Sequence, residues 1–255
     1  MKLIGIDSSG LVASVAIMED NKLVAEYTVN NKKTHSQTLL PMLEEIVKNT
    51  GLDMNEIDAI AIAAGPGSFT GLRIGAATAK GLGLALKKPI VPVSTVDALA
   101  YNMYGTDALV CPIMDARRNQ VYTGIYEFVD KNPTTDTADE TTGNADSLNK
   151  TYRLNVMKEA CAVPIEEIAE EVNKAGREVI FLGDGVPVFA EQLQTLMKVP
   201  YSFAPAHLAL QKAGCVAGLG MEKYADGIFE DAAAHSPEYL RLSQAERERK
   251  EAGLL

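Results

Sequence analysis

Two short turns in the sequence carry residue types that bind phosphate or hydrated magnesium. The first turn places one acid and two hydroxyls in a row: Asp7, Ser8 and Ser9. The second turn is the Gly183, Asp184, Gly185 part of FLGDGVPVF, between a strand pattern and a helix pattern. Carboxylates, hydroxyls and backbone amides in such turns bind phosphate and magnesium. We predict that the two turns face a nucleotide across a cleft, and turn formation alone explains them about as well.

A third glycine-rich stretch, AIAAGPGSFTGLRIG at residues 61–75, joins a strand pattern to a helix pattern. Ser68 and Thr70 are residue types that cap a helix, and the turn suits a phosphate or a tightly packed neighbour. The following helix has a ridge of small residues at every fourth position: Gly71, Gly75, Ala79 and Gly83. Because each interior glycine costs about 1 kcal/mol, the ridge predicts a close helix neighbour, either in this chain or in a partner.

The neighbour that we predict for this ridge is the preceding helix, at residues 36–50. Its apolar stripe consists of Leu39, Leu43 and Ile46. This stripe is a natural neighbour of the glycine ridge whether the ridge packs inside this chain or belongs to a subunit interface.

The histidines and cysteines do not form a metal-ligand pattern. His35, His207 and His235 lie far apart, and the three cysteines are separated by about fifty residues without a C-x-x-C pair. We therefore predict no metal site. A serine, histidine and acid triad stays open, but no G-x-S-x-G motif supports it.

The charge balance excludes a nucleic-acid-binding surface of the usual kind. The chain has 255 residues, 34 of them acidic and 24 basic, with a net charge of −10 and no stripe of lysine and arginine. Asp7 interrupts the first apolar run before it reaches signal-peptide length, and no run reaches the roughly twenty residues of a membrane span. The odd cysteine count fits a reducing compartment, so we predict a cytoplasmic protein without membrane partners.

The periodicity predicts an α/β protein with two lobes, because 255 residues exceed a typical single core. The pattern of the first lobe, residues 1–104, is three strands, a helix, a strand and a helix, followed by a strand at 90–93 and a helix at 95–104. The second lobe, residues 105–235, contains strands at 109–114, 120–128 and 178–182 and helices at 164–175, 186–197 and 206–225. Residues 129–150 are polar and predicted to be an exposed insertion, and residues 236–255 form a C-terminal segment with a charged tail.

Several motifs together resemble one protein family. They are DSSG, KTHSQTLLPMLEE, AIAAGPGSFTGLRIG, KGLGLAL, PVSTVDALA, MDARRNQVY, FLGDG and HSPEYLR. They cover most of the chain, and GPGSFTGLR is the most specific. The chain is similar to the TsaB family, also called YeaZ, of bacterial proteins required for threonylcarbamoyladenosine in tRNA.

The resemblance implies an actin-like ATPase fold with two ribonuclease H-like lobes, each a mixed sheet flanked by helices. It also implies a non-catalytic subunit that binds the paralogue TsaD, together with the ATPase TsaE. TsaD transfers threonylcarbamoyl to adenosine 37 of tRNAs that read ANN codons. In TsaB relatives the first two helices meet TsaD or a second TsaB, which implies that the stripe of α-helical residues Leu39, Leu43 and Ile46 and the glycine ridge form the partner interface. The resemblance also implies that tRNA is reached only through the complex. No resident cofactor is expected, and ATP or ADP would bind at the complex interface.

One departure from TsaD supports the non-catalytic interpretation. TsaD relatives hold a metal with a His-x-x-x-His pair after the strand that corresponds to residues 90–93, and here Thr95 and Leu99 stand at those positions. Neither side chain coordinates iron or zinc as histidine does. Two alternatives remain open: an ATP-dependent phosphotransferase that uses Asp7, and a glycoprotease-like peptidase, which the missing histidine pair disfavours.

Overall fold

The computed structural model describes residues 1–31, 34–131 and 150–241. The strands in this part of the chain are β1 (Lys2–Asp7), β2 (Ala13–Glu19), β3 (Lys22–Val29), β4 (Ala59–Gly65), β5 (Ile90–Ser94), β6 (Leu109–Asp115), β7 (Gln120–Asp130), β8 (Tyr152–Pro164), β9 (Val179–Leu182) and β10 (Tyr201–Phe203). The helices are α1 (His35–Thr50), α2 (Phe69–Leu86), α3 (Thr95–Ala100), α4 (Ile165–Ala175), α5 (Val186–Leu196) and α6 (Ala213–Ala225). None of the helices described is both long and apolar enough to cross a membrane.

The strands form two five-stranded mixed sheets with the same topology. The first has the order β3-β2-β1-β4-β5, and the second has the order β8-β7-β6-β9-β10. In each sheet the first three strands are antiparallel to one another, and the last two run parallel to the first. This confirms the predicted two-lobed, actin-like α/β fold with ribonuclease H-like lobes. The lobes are a structural repeat that the sequence did not reveal.

Helix α1 buries its apolar stripe in the core of the first lobe. Leu39, Leu43 and Ile46 are at most 4% exposed and pack with Ile4 and Ile60 of the sheet. The prediction that these three side chains meet a partner is corrected here, because the chain itself covers them. A stripe of leucine and isoleucine at helical spacing is the usual signature of a core-facing helix.

The glycine ridge of α2 is also buried within the chain. An added methyl group at Gly71 or Gly75 would meet Ser8, and one at Gly83 would meet Ala232 and the carbonyl of Lys88. The ridge is closely packed, but not by the predicted helix: its neighbours are the β1–β2 turn and a C-terminal segment. The interpretation of the ridge as a partner surface is corrected for the same reason as that of α1.

Two helices connect the lobes. Helix α6 lies on β1, β2, β4 and β5 of the first sheet, and α3 contacts β6, β7 and β8 of the second sheet as well as β4 and β5 of the first. The chain passes from the first sheet to the second after residue 104, and α6 packs on the first sheet although its residues lie in the predicted second lobe, residues 105–235. The bounds of the lobes stay a prediction. The order of the helices and strands along the chain does not indicate which sheet each helix packs on.

Three predicted features of the second lobe differ from the structure. The edge strand β8 pairs only with β7, and neither it nor the three-residue strand β10 was predicted. Helix α6 begins at Ala213 rather than near residue 206, because the Asn102 side-chain amide donates hydrogen bonds to the carbonyls of Leu208 and Leu210, at 3.0 and 2.9 Å. Strand β7 continues to Asp130, and residues 132–149 of the predicted insertion lie outside the described residues, as do residues 242–255.

Two glycines of α2 offer a matched test of this packing. Among the described residues nothing lies within 4 Å of a methyl group added at Gly81, whereas one added at Gly83 would lie 2.7 Å from the Ala232 Cβ. We expect Gly81→Ala to raise the free energy of unfolding by about 0.5–1 kcal/mol and Gly83→Ala to lower it. Urea unfolding of the purified variants measures both, and equal effects at the two positions would contradict the assignment of faces.

Candidate functional site

A cleft of about 330 Å³ lies between the lobes. The β1–β2 turn, the glycine turn before α2, the β6–β7 turn and the β9–α5 turn all line it, as does the C-terminal segment. Representative lining residues are Ser9, Ser68, Arg117, Asp184 and Tyr239. The two turns in which the sequence predicted phosphate ligands are thus brought to one cavity.

The β1–β2 turn is organised by the Asp7 carboxylate. Its Oδ1 accepts hydrogen bonds from the backbone amide and the hydroxyl of Ser9, at 2.9 and 2.6 Å. Its Oδ2 is buried and has no hydrogen-bond partner among the described residues. Such an oxygen is a ligand type that magnesium prefers, so the turn fits a magnesium–phosphate group.

Burial sets the ionisation of Asp7. Loss of hydration raises the pKa of the carboxyl from 3.8 to about 6, and the two Ser9 hydrogen bonds and nearby His35 only partly oppose this shift. The folded protein therefore binds the proton more tightly than the unfolded chain. The stability that the neutral carboxyl contributes is fully present below the unfolded pKa and is lost as pH rises through about 6.

The second lobe presents a carboxylate and an arginine to the cleft. Asp184 Oδ1 accepts a long hydrogen bond of 3.3 Å from the Asp115 amide, and burial raises the pKa of the Asp184 carboxyl. The Arg117 guanidinium pairs with the Asp115 carboxylate at 3.1 Å while remaining mostly exposed. Arg117, Arg118 and Asn119 all have positive φ, a backbone conformation that costs non-glycine residues energy and occurs often at functional turns.

Other predicted site residues have packing roles. The Ser8 hydroxyl turns away from the cleft and donates to the Gly71 carbonyl at 2.9 Å. Gly183 and Gly185 allow the β9–α5 turn to approach the Ile113 carbonyl closely. Arg73 donates to the Tyr239 hydroxyl at 3.2 Å and lies 4.0 Å over the Phe69 ring.

Sequence reasoning missed the contribution of the C-terminal segment. Residues 238–241 line the cleft beside the glycine turn, whereas no structural role was predicted for the HSPEYLR motif that contains them. The proline and the tyrosine of this motif are the features from which an ordered segment could have been predicted. In the described ranges, no three histidine, cysteine or acidic side chains come together in a way that could hold a metal ion.

The exposed faces of α1 and α2 form a second candidate site. Leu40 of α1 and Leu84 of α2 are 54% and 57% exposed. Helix α2 also has exposed small residues at every fourth position: Ala77, Gly81 and Ala85. Beside them, α1 borders an open groove lined by Leu40, Pro41, Val47 and Met54. A bare helix face next to exposed leucines is suited to close contact with another helix.

Comparison with known proteins gives a consistent result over nearly the whole chain. Residues 22–249 match the family described as TsaD, tRNA N6-adenosine threonylcarbamoyltransferase. The tRNA threonylcarbamoyladenosine biosynthesis protein TsaB of Bacillus subtilis is 30% identical over 246 residues, which are 96% of each chain. The Haemophilus influenzae protein of the same name is 37% identical over 127 residues, 48% of this chain and 52% of the other.

A solved structure agrees with this match. YeaZ from Pseudomonas aeruginosa superimposes with a TM-score of 0.73 at 26% identity, covering 94% of this chain and 99% of that one. The likeness includes both lobes.

The unpaired Asp7 oxygen leads to a pH-dependent prediction. Asp7→Asn keeps an oxygen that accepts both Ser9 hydrogen bonds and removes the charge. At pH 7.5 we expect the variant to exceed the wild-type free energy of unfolding by on the order of 1–3 kcal/mol, with the difference shrinking towards pH 4. Urea titrations between pH 4 and 7.5 measure this difference. If the difference in the free energy of unfolding between the two proteins did not change with pH, the pKa of Asp7 would not be raised by burial.

Proposed function

Because the chain belongs to the TsaB family, we propose that it is a non-catalytic subunit that binds and activates TsaD in the synthesis of threonylcarbamoyladenosine in tRNA. In this proposal TsaD transfers threonylcarbamoyl to adenosine 37 of tRNAs that read ANN codons. The tRNA modification takes place in the cytoplasm, and TsaE joins the same assembly.

The observation that carries the proposal is the exposed face of α2. Ala77, Gly81 and Ala85 leave a bare strip between Leu84 and the exposed face of α1. Glycine at 81 lowers helix stability, and no described residue lies within 4 Å of a methyl group added there. A partner helix that lies against this strip gives a physical reason for the small residues. The proposed interface thus uses the helices inferred from sequence, but through their opposite, exposed faces.

The same face serves the homodimer that we propose for the free protein. A second copy and TsaD would then compete for one surface. This competition predicts that the free protein dissociates into single chains when it binds the paralogue.

The charge balance is consistent with an indirect role towards tRNA. A chain of net charge −10 repels a polyanion on average, so the subunit that binds tRNA is TsaD in this proposal. Thr95 and Leu99, at the positions of the TsaD histidine pair, are buried side chains without imidazole. Transfer chemistry therefore belongs to the partner rather than to this chain.

A second candidate is ATP-dependent phosphotransfer in the interlobe cleft. The unpaired Asp7 oxygen favours it, since magnesium bound to a nucleotide would satisfy that oxygen. Asp7 and Asp184 would hold the ion or its water, and Arg117 would contact phosphate. ATP hydrolysis by the isolated chain that disappears in Asp7→Ala would support this candidate over the scaffold.

Reconstitution tests the main proposal directly. TsaD and TsaE, threonylcarbamoyl-adenylate and an ANN-decoding tRNA are incubated with and without this chain. We expect modified adenosine to form only when the chain is present, and sedimentation to show a complex with TsaD. Modification at the same rate without the chain would refute an activating role.

The interface is tested by a matched pair of substitutions. Ala77→Arg places a long charged side chain on the bare strip, and Thr195→Arg adds the same side chain to an exposed position of α5. We expect Ala77→Arg to raise the Kd for TsaD at least about tenfold, because a close helix contact does not accommodate arginine, and Thr195→Arg to leave it unchanged. The melting temperature of each variant serves as the folding control. Equal affinities of both variants would exclude this face.

A further inference from the structure

The segment that follows α6 runs along the edge of the first lobe and into the cleft. Glu230 exchanges two backbone hydrogen bonds of 2.9 Å with Ile90 of the edge strand β5. The Lys80 ammonium of α2 then donates to the carbonyls of Ala233 and His235, at 2.9 and 2.8 Å. Further along, the Glu238 amide donates to the Ala64 carbonyl at 2.8 Å, next to the glycine turn.

Tyr239 anchors this segment on the first turn of α2. Its ring stacks on Phe69 with the centroids 4.4 Å apart and the planes inclined by 30°. Its hydroxyl accepts a hydrogen bond from Arg73 Nε, and the Arg73 guanidinium covers the other aromatic ring. Stacking, a cation–π contact and a charged hydrogen bond therefore join Tyr239, Phe69 and Arg73 in one cluster.

Arg241 connects the segment to the other lobe. Its guanidinium donates to the Ala116 carbonyl and, at 3.3 Å, to the Arg117 carbonyl of the left-handed β6–β7 turn. Two residues apart in sequence, Tyr239 and Arg241 thus contact opposite walls of the cleft. A charged donor shared by two carbonyls holds the turn at a fixed distance from α2.

We infer that residues 236–241 are a strap that holds the interlobe cleft closed, with Tyr239 as its anchor on α2 and Arg241 as its latch on the β6–β7 turn. Release of the latch lets the lobes separate and widens the entrance to the cleft. The strap crosses the cavity lined by Asp184 and Ser9, so it also controls which ligands reach those residues. This inference depends on the contacts of the strap and not on the identity of a partner.

Two measurements on the full-length chain test the strap. In Arg241→Ala we expect the Glu238 amide to exchange with deuterium about tenfold faster, as loss of a charged hydrogen bond predicts. Small-angle scattering is expected to show a larger radius of gyration. Tyr239→Ala should have the same effects, and Tyr239→Phe, which keeps the ring stacking, should have smaller ones.

Arg177→Ala is the matched control. Like Arg241, Arg177 donates a hydrogen bond to a backbone carbonyl, that of Asp107. It also pairs with the Glu127 carboxylate, and neither partner lies across the cleft. The radius of gyration of the Arg177→Ala variant and the rate of hydrogen exchange at its Glu238 amide should equal those of the wild type. Unchanged exchange in α4 and β9 shows that a variant is folded, and Arg241→Lys, which loses the planar fork, replaces Arg241→Ala if that variant unfolds.

Two results would overturn the inference. One is wild-type exchange at Glu238 after loss of the Arg241 guanidinium, which would mean that the latch does not hold the segment. The other is faster exchange with an unchanged radius of gyration, which would mean that the segment does not hold the lobes.

Discussion

The close packing of α6 on the first sheet is the contact on which the remaining architecture depends. At Gly5 of β1 the Ala213 carbonyl occupies the place of a side chain, and Gly220 of α6 allows the same approach to Ala61 of β4. Residues from the end of the described chain thereby cover the second face of the first sheet. Because α6 is fixed there, the segment after it emerges beside β5 and α2, the position from which it reaches the cleft.

Local patterns predicted most of the elements but few of their neighbours. The helical stripe of α1 determines structure through its own periodicity, and the observed start and end of this helix agree with prediction to within one residue. The strand β8 was not predicted because an edge strand without a buried residue has a weaker signal than a buried strand. The non-helical start of residues 206–212 depends on Asn102, about a hundred residues away, and no window of sequence contains both.

The candidate sites show the same division. Asp7 and Asp184 were recognised from their turns, and the fold brings both turns to one cleft. The glycine ridge was recognised as a close-packing surface, but spacing alone does not distinguish a neighbour within the chain from one outside it. Helix α2 in fact carries two bare strips, one buried against Ser8 and Ala232 and one exposed at Gly81. Only the coordinates assign each strip to its side of the helix.

The packing of α6 on the first sheet also constrains the order in which the protein folds. The first sheet is synthesised early, yet one of its faces stays uncovered until residues 213–225 have left the ribosome. Loop closure over about two hundred residues is entropically unfavourable, so this step is expected to be slow. Until it occurs, the apolar residues Leu3, Val91 and Val93 beneath α6 remain in contact with water. The lobe that is made first is thus completed last, with apolar surface exposed in the interval.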